Sequence, residues 1–286
     1  MTQQGYILCR AQGGLNDLTC QIWKCTEYAI KHNRAIILTH WSYFGSDLFD
    51  VFDFSNYPVK VYPIDHLKSI TYSSVEPAGE EDYIALFMDK PNNMGRIGAL
   101  HSNDCRVFDK SRTYDNSTLL FHDSAGGGLE SVQFIKHIEF TERMKEFFKA
   151  ATVTFPQQYN ALHIRHTDMK VDSTTLLAKI DSLPRPLFIG TDDPQLKKAI
   201  LTTDPATFST RFETTPTEYT HNLHYQSDKD TLEWALVDLL IMVFAANTMK
   251  DYYEAAQVDM PSGFCRLIDA LKPYKSDLLN KISENA

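Results

Sequence analysis

The chain has 286 residues, of which 43% are hydrophobic and 12% aromatic, and its formal net charge is −9. This length suffices for one large domain or two modest ones, and the composition excludes a disordered chain. The acidic charge argues against general nucleic-acid binding, which normally needs a basic surface, so no nucleic-acid partner is expected.

The N-terminal part of the chain predicts a compact β-α-β unit with a glycine turn. An apolar strand at residues 6–10 runs into Gly13-Gly14. A helix follows, because apolar residues recur at three- and four-residue spacing, and Asn33 predicts its end. Residues 35–39 form the second strand.

The middle of the chain, from about residue 41 to 121, is less regular. The pattern of residues 47–54 fits both a strand and a helix, so their type stays open. Residues 119–122 predict a strand that leads into a flexible loop at Gly126-Gly127-Gly128, and a helix is predicted around residues 140–152.

The second half alternates clearly between strands and helices, which predicts an α/β fold with two Rossmann-like halves divided near residue 150. Asp193 is the expected N-cap of one helix, with Pro194 at its first position. The predicted elements are strands at 161–165 and 186–190, helices at 174–183, 193–201 and 232–246, and a last helix after Ser262-Gly263.

The cysteines and the N-terminus predict a cytoplasmic protein. The five cysteines are odd in number and form no C-x-x-C pair, which predicts buried thiols without a disulfide framework or a zinc site: Cys9, Cys20, Cys25, Cys105 and Cys265. The first residues lack the basic and apolar regions of a signal peptide. The apolar run at 232–246 is too short for the roughly 20 residues of a membrane span, so it predicts a core helix; peripheral membrane association stays open.

Three predicted strands end in glycine or polar residues, a pattern typical of an α/β protein that presents side chains at the carboxyl edge of its sheet. The first is Gly13-Gly14-Leu15-Asn16. Glycines between a strand and a helix let backbone amides approach a phosphate at the helix N-terminus. A tight turn that needs a positive φ is the alternative explanation.

The second strand end is the run from His163 to Asp168, which contains Arg165. Alternation places His163 and Arg165 on the same face of the strand. The planar, permanently charged guanidinium matches phosphate oxygens, which favours a binding role. The alternative explanations are that the arginine forms an ion pair with a nearby carboxylate and that the histidine lies in the core with its ring nitrogens hydrogen-bonded.

The third strand end is Thr191-Asp192-Asp193-Pro194. Helix capping explains Asp193 but leaves Asp192 at the strand tip, where its two oxygens suit the paired N1–H and N2–H₂ donors of guanine. A second turn residue that satisfies local amides explains Asp192 equally well.

Together these motifs resemble the GDP-fucose-dependent fucosyltransferase superfamily, which includes α-1,2- and α-1,6-fucosyltransferases and protein O-fucosyltransferases. The resemblance covers both halves, in the order Gly-Gly-Leu-Asn, His-x-Arg-x-Thr-Asp, Thr-Asp-Asp-Pro and Pro-Ser-Gly-Phe. It implies a GT-B-like α/β fold with two Rossmann-like domains facing across a cleft. Residues 1–150 would then be the acceptor side and residues 151–286 the nucleotide-sugar donor side.

The resemblance also implies roles for single residues. Arg165 would bind the donor β-phosphate, and His163 would approach the nucleoside. Asp192 would accept hydrogen bonds from guanine. Asn16, beside Gly13 and Gly14, would reach the diphosphate or fucose, and the diphosphate or base would be enclosed by Ser262, Gly263 and Phe264.

For the chemistry, an inverting transferase of this class needs a base for the acceptor hydroxyl and positive charge on the departing diphosphate. Arg165 supplies the charge, and Asp172 is the best candidate for the base, although its spacing from the Thr-Asp pair differs by one from that of some relatives. Asp168 holds the loop. No metal-binding Asp-x-Asp motif is present, so we expect neither a metal nor another cofactor besides the GDP-sugar substrate.

We therefore expect a fucosyltransferase-like enzyme of polysaccharide biosynthesis that acts on a glycan hydroxyl. Family members usually have arginine where this chain has His166, so another sugar nucleotide is the nearest alternative. A catalytically silent glycan- or nucleotide-binding protein is the second. His122 and Asp123 fit both the acceptor side of a cleft and a mobile loop, and Asp238 predicts a buried helix-to-loop hydrogen bond.

Overall fold

The computed structural model describes residues 4–39, 47–89, 105–164, 173–191, 193–210, 231–249 and 263–283. The chain divides into two compact units between Thr141 and Glu142, at the start of the helix that contains residue 150. Each unit contains a mainly parallel sheet with connecting helices, which confirms the predicted α/β class.

The first unit follows the predicted β-α-β start. Its elements are β1 (Gly5–Ala11), α1 (Leu15–His32), β2 (Arg34–Leu38), α2 (Leu48–Val51), β3 (Phe52–Asp53), β4 (Val61–Pro63), a 3-10 turn (Ile64–Ser69), β5 (Ser74–Glu76), α3 (Glu81–Asp89), β6 (Arg106–Val107), β7 (Thr118–Ser124), α4 (Glu130–His137) and β8 (Glu139–Phe140). The sheet order is β4-β2-β1-β7-β5, all parallel, and β6 pairs antiparallel with β7.

The end of α1 confirms the prediction from Asn33. This residue is the C-cap and adopts the left-handed conformation with φ 49°, which asparagine tolerates better than most residues. The apolar face of α1 is buried along its length, and β1 and β2 pair in parallel with Ile7 opposite Ile36.

The segment whose type stayed open, residues 47–54, forms the single turn α2 followed by β3. Asp47 caps the turn by accepting a hydrogen bond from the Phe49 N–H at 3.0 Å. The chain then becomes extended because Phe52 pairs with Phe140 of β8, a contact between residues far apart in sequence. Local pattern alone therefore could not decide between helix and strand.

The second unit continues the alternation. Its elements are α5 (Glu142–Thr152), β9 (Asn160–Ile164), α6 (Ser173–Asp181), β10 (Leu187–Thr191), α7 (Pro194–Thr203), β11 (Thr207–Phe208), α8 (Thr231–Phe244), β12 (Asn247–Met249), α9 (Gly263–Leu271), a 3-10 turn (Lys272–Tyr274) and α10 (Lys275–Ser283). The sheet order is β11-β10-β9-β12, and every described pairing in it is parallel.

Helices α6 and α7 cover the central strands of this second sheet. Leu176 and Ile180 of α6, with Leu196 and Ile200 of α7, are buried in one cluster with residues of β9 and β10. Burial of an aliphatic side chain contributes about 1.5–3 kcal/mol, so this cluster holds α6 and α7 against β9 and β10. The predicted core helix is confirmed, because α8 is buried over most of its length.

The environment of the cysteines was predicted correctly for four of them. Cys9, Cys20, Cys25 and Cys265 are buried, whereas Cys105 is exposed, so that prediction is wrong for Cys105. Cys105 lies directly before β6, whose one pairing among the described strands is with β7 and whose residues are partly exposed. In the part of the chain that the structure describes, none of the five cysteines forms a disulfide.

Within the described ranges, no helix combines the length and the apolar character needed to cross a membrane.

Candidate functional site

The carboxyl edge of the second sheet brings two of the predicted strand ends side by side. Strands β9 and β10 are neighbours in parallel register, with His163 opposite Gly190 and Ile164 opposite Thr191. Arg165 and Asp192 directly follow Ile164 and Thr191 in the sequence. Five predicted site residues lie outside the described residues: Arg165, Asp168, Asp172, Asp192 and Ser262.

His163 is the described residue at the centre of this edge. Its ring is half-buried, and its Nδ1 lies 3.3 Å from the Sγ of Cys265. The ring of Phe264 lies beside it, with centroids 5.0 Å apart and an angle of 30° between the planes. The first turn of α9, which begins at Gly263, therefore contacts the strand residue that the sequence singled out.

This arrangement joins two motifs separated by about a hundred residues and adds one residue that the sequence reasoning missed. Cys265 directly follows the predicted Pro-Ser-Gly-Phe motif but was assigned only to the core. The helical spacing after Phe264 could not show that the thiol faces a histidine, because that contact depends on how α9 packs against β9.

Two aspartates near this edge have structural partners. Asp193 caps α7 by accepting from the N–H groups of Gln195 at 2.8 Å and Leu196 at 3.0 Å, as predicted. Asp238 of α8 accepts from the Thr210 hydroxyl at 3.0 Å, which confirms the predicted helix-to-loop bond.

Asp238 is also electrostatically coupled to its surroundings. Burial raises the pKa of its carboxyl, while the charges of Lys197 and His163 and the hydroxyl of Thr210 oppose that rise. The influence of His163 indicates that the two side chains belong to one local environment.

In the first unit, packing explains the glycine turn between β1 and α1. Gly13 has φ 93°, and a Cβ at this position would lie 2.7 Å from Oδ2 of Asp17, so only glycine fits. The Gly14 N–H donates to the same oxygen at 2.9 Å. These contacts cap α1 with its own carboxylate, and a role of Gly13 and Gly14 in donor binding stays a prediction.

Asn16 lies in the first turn of α1 with 5% of its surface exposed. Its side-chain oxygen and its backbone carbonyl both accept from the Ser131 hydroxyl, the carbonyl at 3.0 Å. A Cβ on Gly127 would collide with the Asn16 amide nitrogen. Asn16 thus holds the first turn of α4 against α1, and its predicted contact with a diphosphate or sugar stays a prediction.

The glycine loop after β7 was predicted to be flexible, but it is held by hydrogen bonds. The Gln21 amide nitrogen donates to the carbonyls of Ala125, at 3.1 Å, and Gly126. Because both partners are acceptors, the Gln21 oxygen must face the other way, where it lies 2.9 Å from Nε2 of His122. The loop, the strand and α1 are therefore locked together.

His122 is consequently neutral and structural. With Gln21 as acceptor, its Nε2 carries the proton and its Nδ1 is a buried lone pair for which the structure shows no hydrogen-bond partner. Burial lowers the pKa of His122 to about 3. His122 and Asp123 are only 2% and 1% exposed, so they form neither a cleft surface nor a mobile loop.

Among the described residues, no group of three or more histidine, cysteine, aspartate or glutamate side chains is placed to hold a metal ion. The expected metal independence stays a prediction.

Solved structures of fucosyltransferases share the fold of this chain. NodZ alpha-1,6-fucosyltransferase co-crystallized with GDP has a TM-score of 0.59 at 14% identity, covering 94% of this chain and 92% of that chain. Fucosyltransferase NodZ from Bradyrhizobium has a TM-score of 0.59 at 15% identity, covering 94% and 93%. POFUT1 in complex with GDP has a TM-score of 0.54 at 10% identity, covering 96% and 97%.

By sequence, no protein-family profile and no curated protein matches the chain. At identities of 10% to 15%, structural similarity over nearly the whole chain shows a common fold. The chain has the fold of these fucosyltransferases, and the resemblance inferred from its motifs is confirmed at that level.

Proposed function

We propose that this chain is a glycosyltransferase that moves fucose, or a related sugar, from a GDP-sugar to a glycan hydroxyl with inversion at the sugar carbon. Two observations support the proposal together. Fucosyltransferases crystallized with GDP or soaked with GDP-fucose have the same fold. The chain also has arginine and aspartate directly after the paired residues Ile164 and Thr191.

The register of β9 and β10 is the observation that carries the proposal. Ligands of parallel α/β sheets bind beyond the carboxyl ends of the strands. In the sequence, Arg165 and Asp192 are the residues that directly follow the paired residues Ile164 and Thr191. An arginine suits the diphosphate, and an aspartate suits the two N–H donors of guanine. The second unit is thus the donor side, with His163, Phe264 and Gly263 beside the nucleotide, and the first unit is the acceptor side.

The proposed reaction is a direct displacement. Asp172 takes the proton of the acceptor hydroxyl, and the oxygen attacks the anomeric carbon of the donor sugar from the face opposite the diphosphate. The bond between that carbon and the β-phosphate oxygen breaks, and GDP leaves. Arg165 stabilises the negative charge that develops on the diphosphate, a type of interaction that is worth several kcal/mol in a desolvated site.

The test is a thermal-shift comparison of GDP, UDP, CMP, ADP and GDP-fucose, each with and without EDTA. A ligand that binds only the folded state stabilises it by about 2.7 kcal/mol at a hundredfold excess over its Kd. GDP and GDP-fucose should raise the melting temperature most, because uracil and cytosine cannot present guanine's pair of donors. EDTA should have no effect, because an arginine replaces the metal at the diphosphate.

Other outcomes identify the alternatives. Stabilisation by UDP with a metal requirement would contradict the assignment of a GDP-sugar donor and favour a different nucleotide sugar. This is the alternative suggested by His166, where family members usually have arginine. Stabilisation by GDP without any release of fucose from GDP-fucose, with or without glycan acceptors, would indicate a binding protein. No response to any nucleotide would refute the proposed donor site.

A further inference from the structure

We infer that Asp17 is a specificity-determining residue: its carboxylate occupies the N-terminus of α1 and keeps phosphate away from the glycine turn, so that binding of the donor diphosphate depends on the second unit. This inference rests on the proposed donor site and narrows it. Of the two donor groups predicted for Asn16 beside the turn, the diphosphate and fucose, it leaves the uncharged sugar.

The glycine turn has the backbone of an anion site, but the protein supplies the anion itself. Gly13 and Gly14 lie between a strand and an 18-residue helix, and the N–H groups at such a helix N-terminus attract anions. Asp17 stands at the third position of α1, where the acid of a capping box lies, and its Oδ2 accepts from the Gly14 N–H at 2.9 Å. A phosphate would have to displace this attached carboxylate.

Packing holds the carboxylate against both glycine segments of the first unit. A Cβ at Gly13 would lie 2.7 Å from Oδ2 of Asp17, and a Cβ at Gly127 would lie 3.0 Å from Oδ1. The Asp17 side chain is nevertheless partly exposed, so an approaching ligand meets it. A phosphate at the turn would therefore face a like charge at contact distance, which opposes its binding.

The neighbouring cations do not offset this negative charge. Arg10, near the end of β1, is 4% exposed and already pairs with Asp123 at 2.8 Å. Lys24 lies about 15 Å along α1 from the turn, at about 1.5 Å per residue. A second acid backs the other glycine segment, because a Cβ at Gly128 would collide with Oε2 of Glu130. This edge of the first unit thus disfavours anions, whereas the second unit has an arginine directly after β9.

Titration with inorganic phosphate, followed through the amide signals of ¹⁵N-glycine-labelled protein, tests the inference. Gly14 reports on the turn, and Gly190, which lies opposite His163, reports on the proposed donor edge. In the wild type we expect no saturable shift of the Gly14 signal beyond that caused by sodium chloride of equal ionic strength. Asp17→Ala uncovers the Gly14 N–H and should produce a saturable shift.

Two further variants support the comparison. Asp17→Asn removes the charge but keeps an oxygen that can cap α1, so it serves if Asp17→Ala proves unstable. It should also respond to phosphate, more weakly than the alanine variant. Asp109→Ala is the matched control, because it removes an exposed carboxylate of the same unit that accepts from the Ser111 N–H at 2.9 Å. Its Gly14 signal should stay unresponsive, as in the wild type.

The outcomes separate this inference from the proposed function. A saturable Gly14 shift in the wild type would overturn the inference, and so would its absence from both Asp17 variants. A response in Asp109→Ala would assign the exclusion to the overall charge of the unit and overturn the role of Asp17. Titration of the wild type with GDP addresses the proposed function: an unresponsive Gly190 would count against the donor site and leave the phosphate result at Gly14 intact.

Discussion

Arg10 and Asp123 form a buried ion pair between the neighbouring strands β1 and β7, with Nη1 2.8 Å from Oδ2 and side-chain exposures of 5% and 1%. The same carboxylate accepts from the Tyr83 hydroxyl at 3.1 Å and from the Gln12 amide. Since Gln12 directly precedes Gly13, this network fixes the path of the chain from β1 into α1.

Removal of the Asp123 carboxylate should therefore be costly. Asp123→Ala breaks the buried ion pair with Arg10, and breaking a buried pair by removing one partner typically destabilises a protein by about 3–5 kcal/mol. Urea denaturation measures the loss. Asp65→Ala is the matched control, because it breaks a pair of equal length with Lys68 at the surface and should cost less than about 1 kcal/mol. Equal effects of the two substitutions would contradict a structural role for the buried pair.

The buried His122 should make the protein sensitive to acid. Its folded pKa of about 3 lies below the unfolded value of about 6.5, so between them the unfolded chain binds a proton that the folded chain does not. The stabilisation of the folded state that results from this pKa difference is fully present above about pH 6.5. It is lost as the pH falls, by roughly 2 kcal/mol between about pH 7 and pH 5.

Urea titrations at those two pH values test this. His122→Phe should lower the free energy of unfolding at neutral pH, because Gln21 loses its hydrogen-bond partner. The further loss of stability between about pH 7 and pH 5 should be smaller than in the wild type by roughly 2 kcal/mol. The same substitution at the exposed His137 is the control and should leave the acid dependence close to wild type. An unchanged dependence in His122→Phe would show that another group is responsible.

Arg165 should be essential for transfer but not for folding. If Arg165 binds the diphosphate as proposed, Arg165→Ala removes a charge-assisted contact and should cost roughly 2–5 kcal/mol, about 30- to several-thousand-fold in kcat/KM. Arg165→Lys should also be poor, because lysine keeps the charge but loses the bidentate geometry. Steady-state kinetics on folded variants check this, and near-normal rates in Arg165→Ala would refute the assignment.

Asp192 should determine the preference for guanine. Wild type should bind GDP more tightly than IDP, which lacks the N2 amino group, by about 1–3 kcal/mol. Asp192→Asn retains one acceptor oxygen and should lose most of that difference. Calorimetric Kd values for both ligands measure it, and a variant that still discriminates fully would move guanine recognition to another residue.

Asp172→Asn tests the proposed base. The substitution removes the proton acceptor but keeps the shape, so kcat should fall by about 10²–10⁴-fold while the Kd for GDP is retained. Single-turnover transfer assays and calorimetry provide the two values. If GDP binding collapsed instead, Asp172 would be a binding residue, and the base would have to be sought elsewhere.

Features that depend on neighbours along the chain could be predicted from the amino-acid sequence. Apolar spacing predicts α1 and the core helix α8. Asn33 predicts the left-handed end of α1, and Asp193 with Pro194 predicts the start of α7. These predictions succeed because periodicity, capping and φ preference act within one or two turns.

Contacts between distant segments, in contrast, depend on the packing of the folded chain and could not be predicted. The pairing of Phe52 with Phe140 ends α2, and the hydrogen bonds of Gln21 hold a loop predicted to be flexible. The approach of α9 to β9 turns Cys265 from a core thiol into a partner of His163. Each of these contacts depends on how helices and strands that are up to about a hundred residues apart in sequence pack together. The spacing of residue types along the chain does not determine the free energy of such packing.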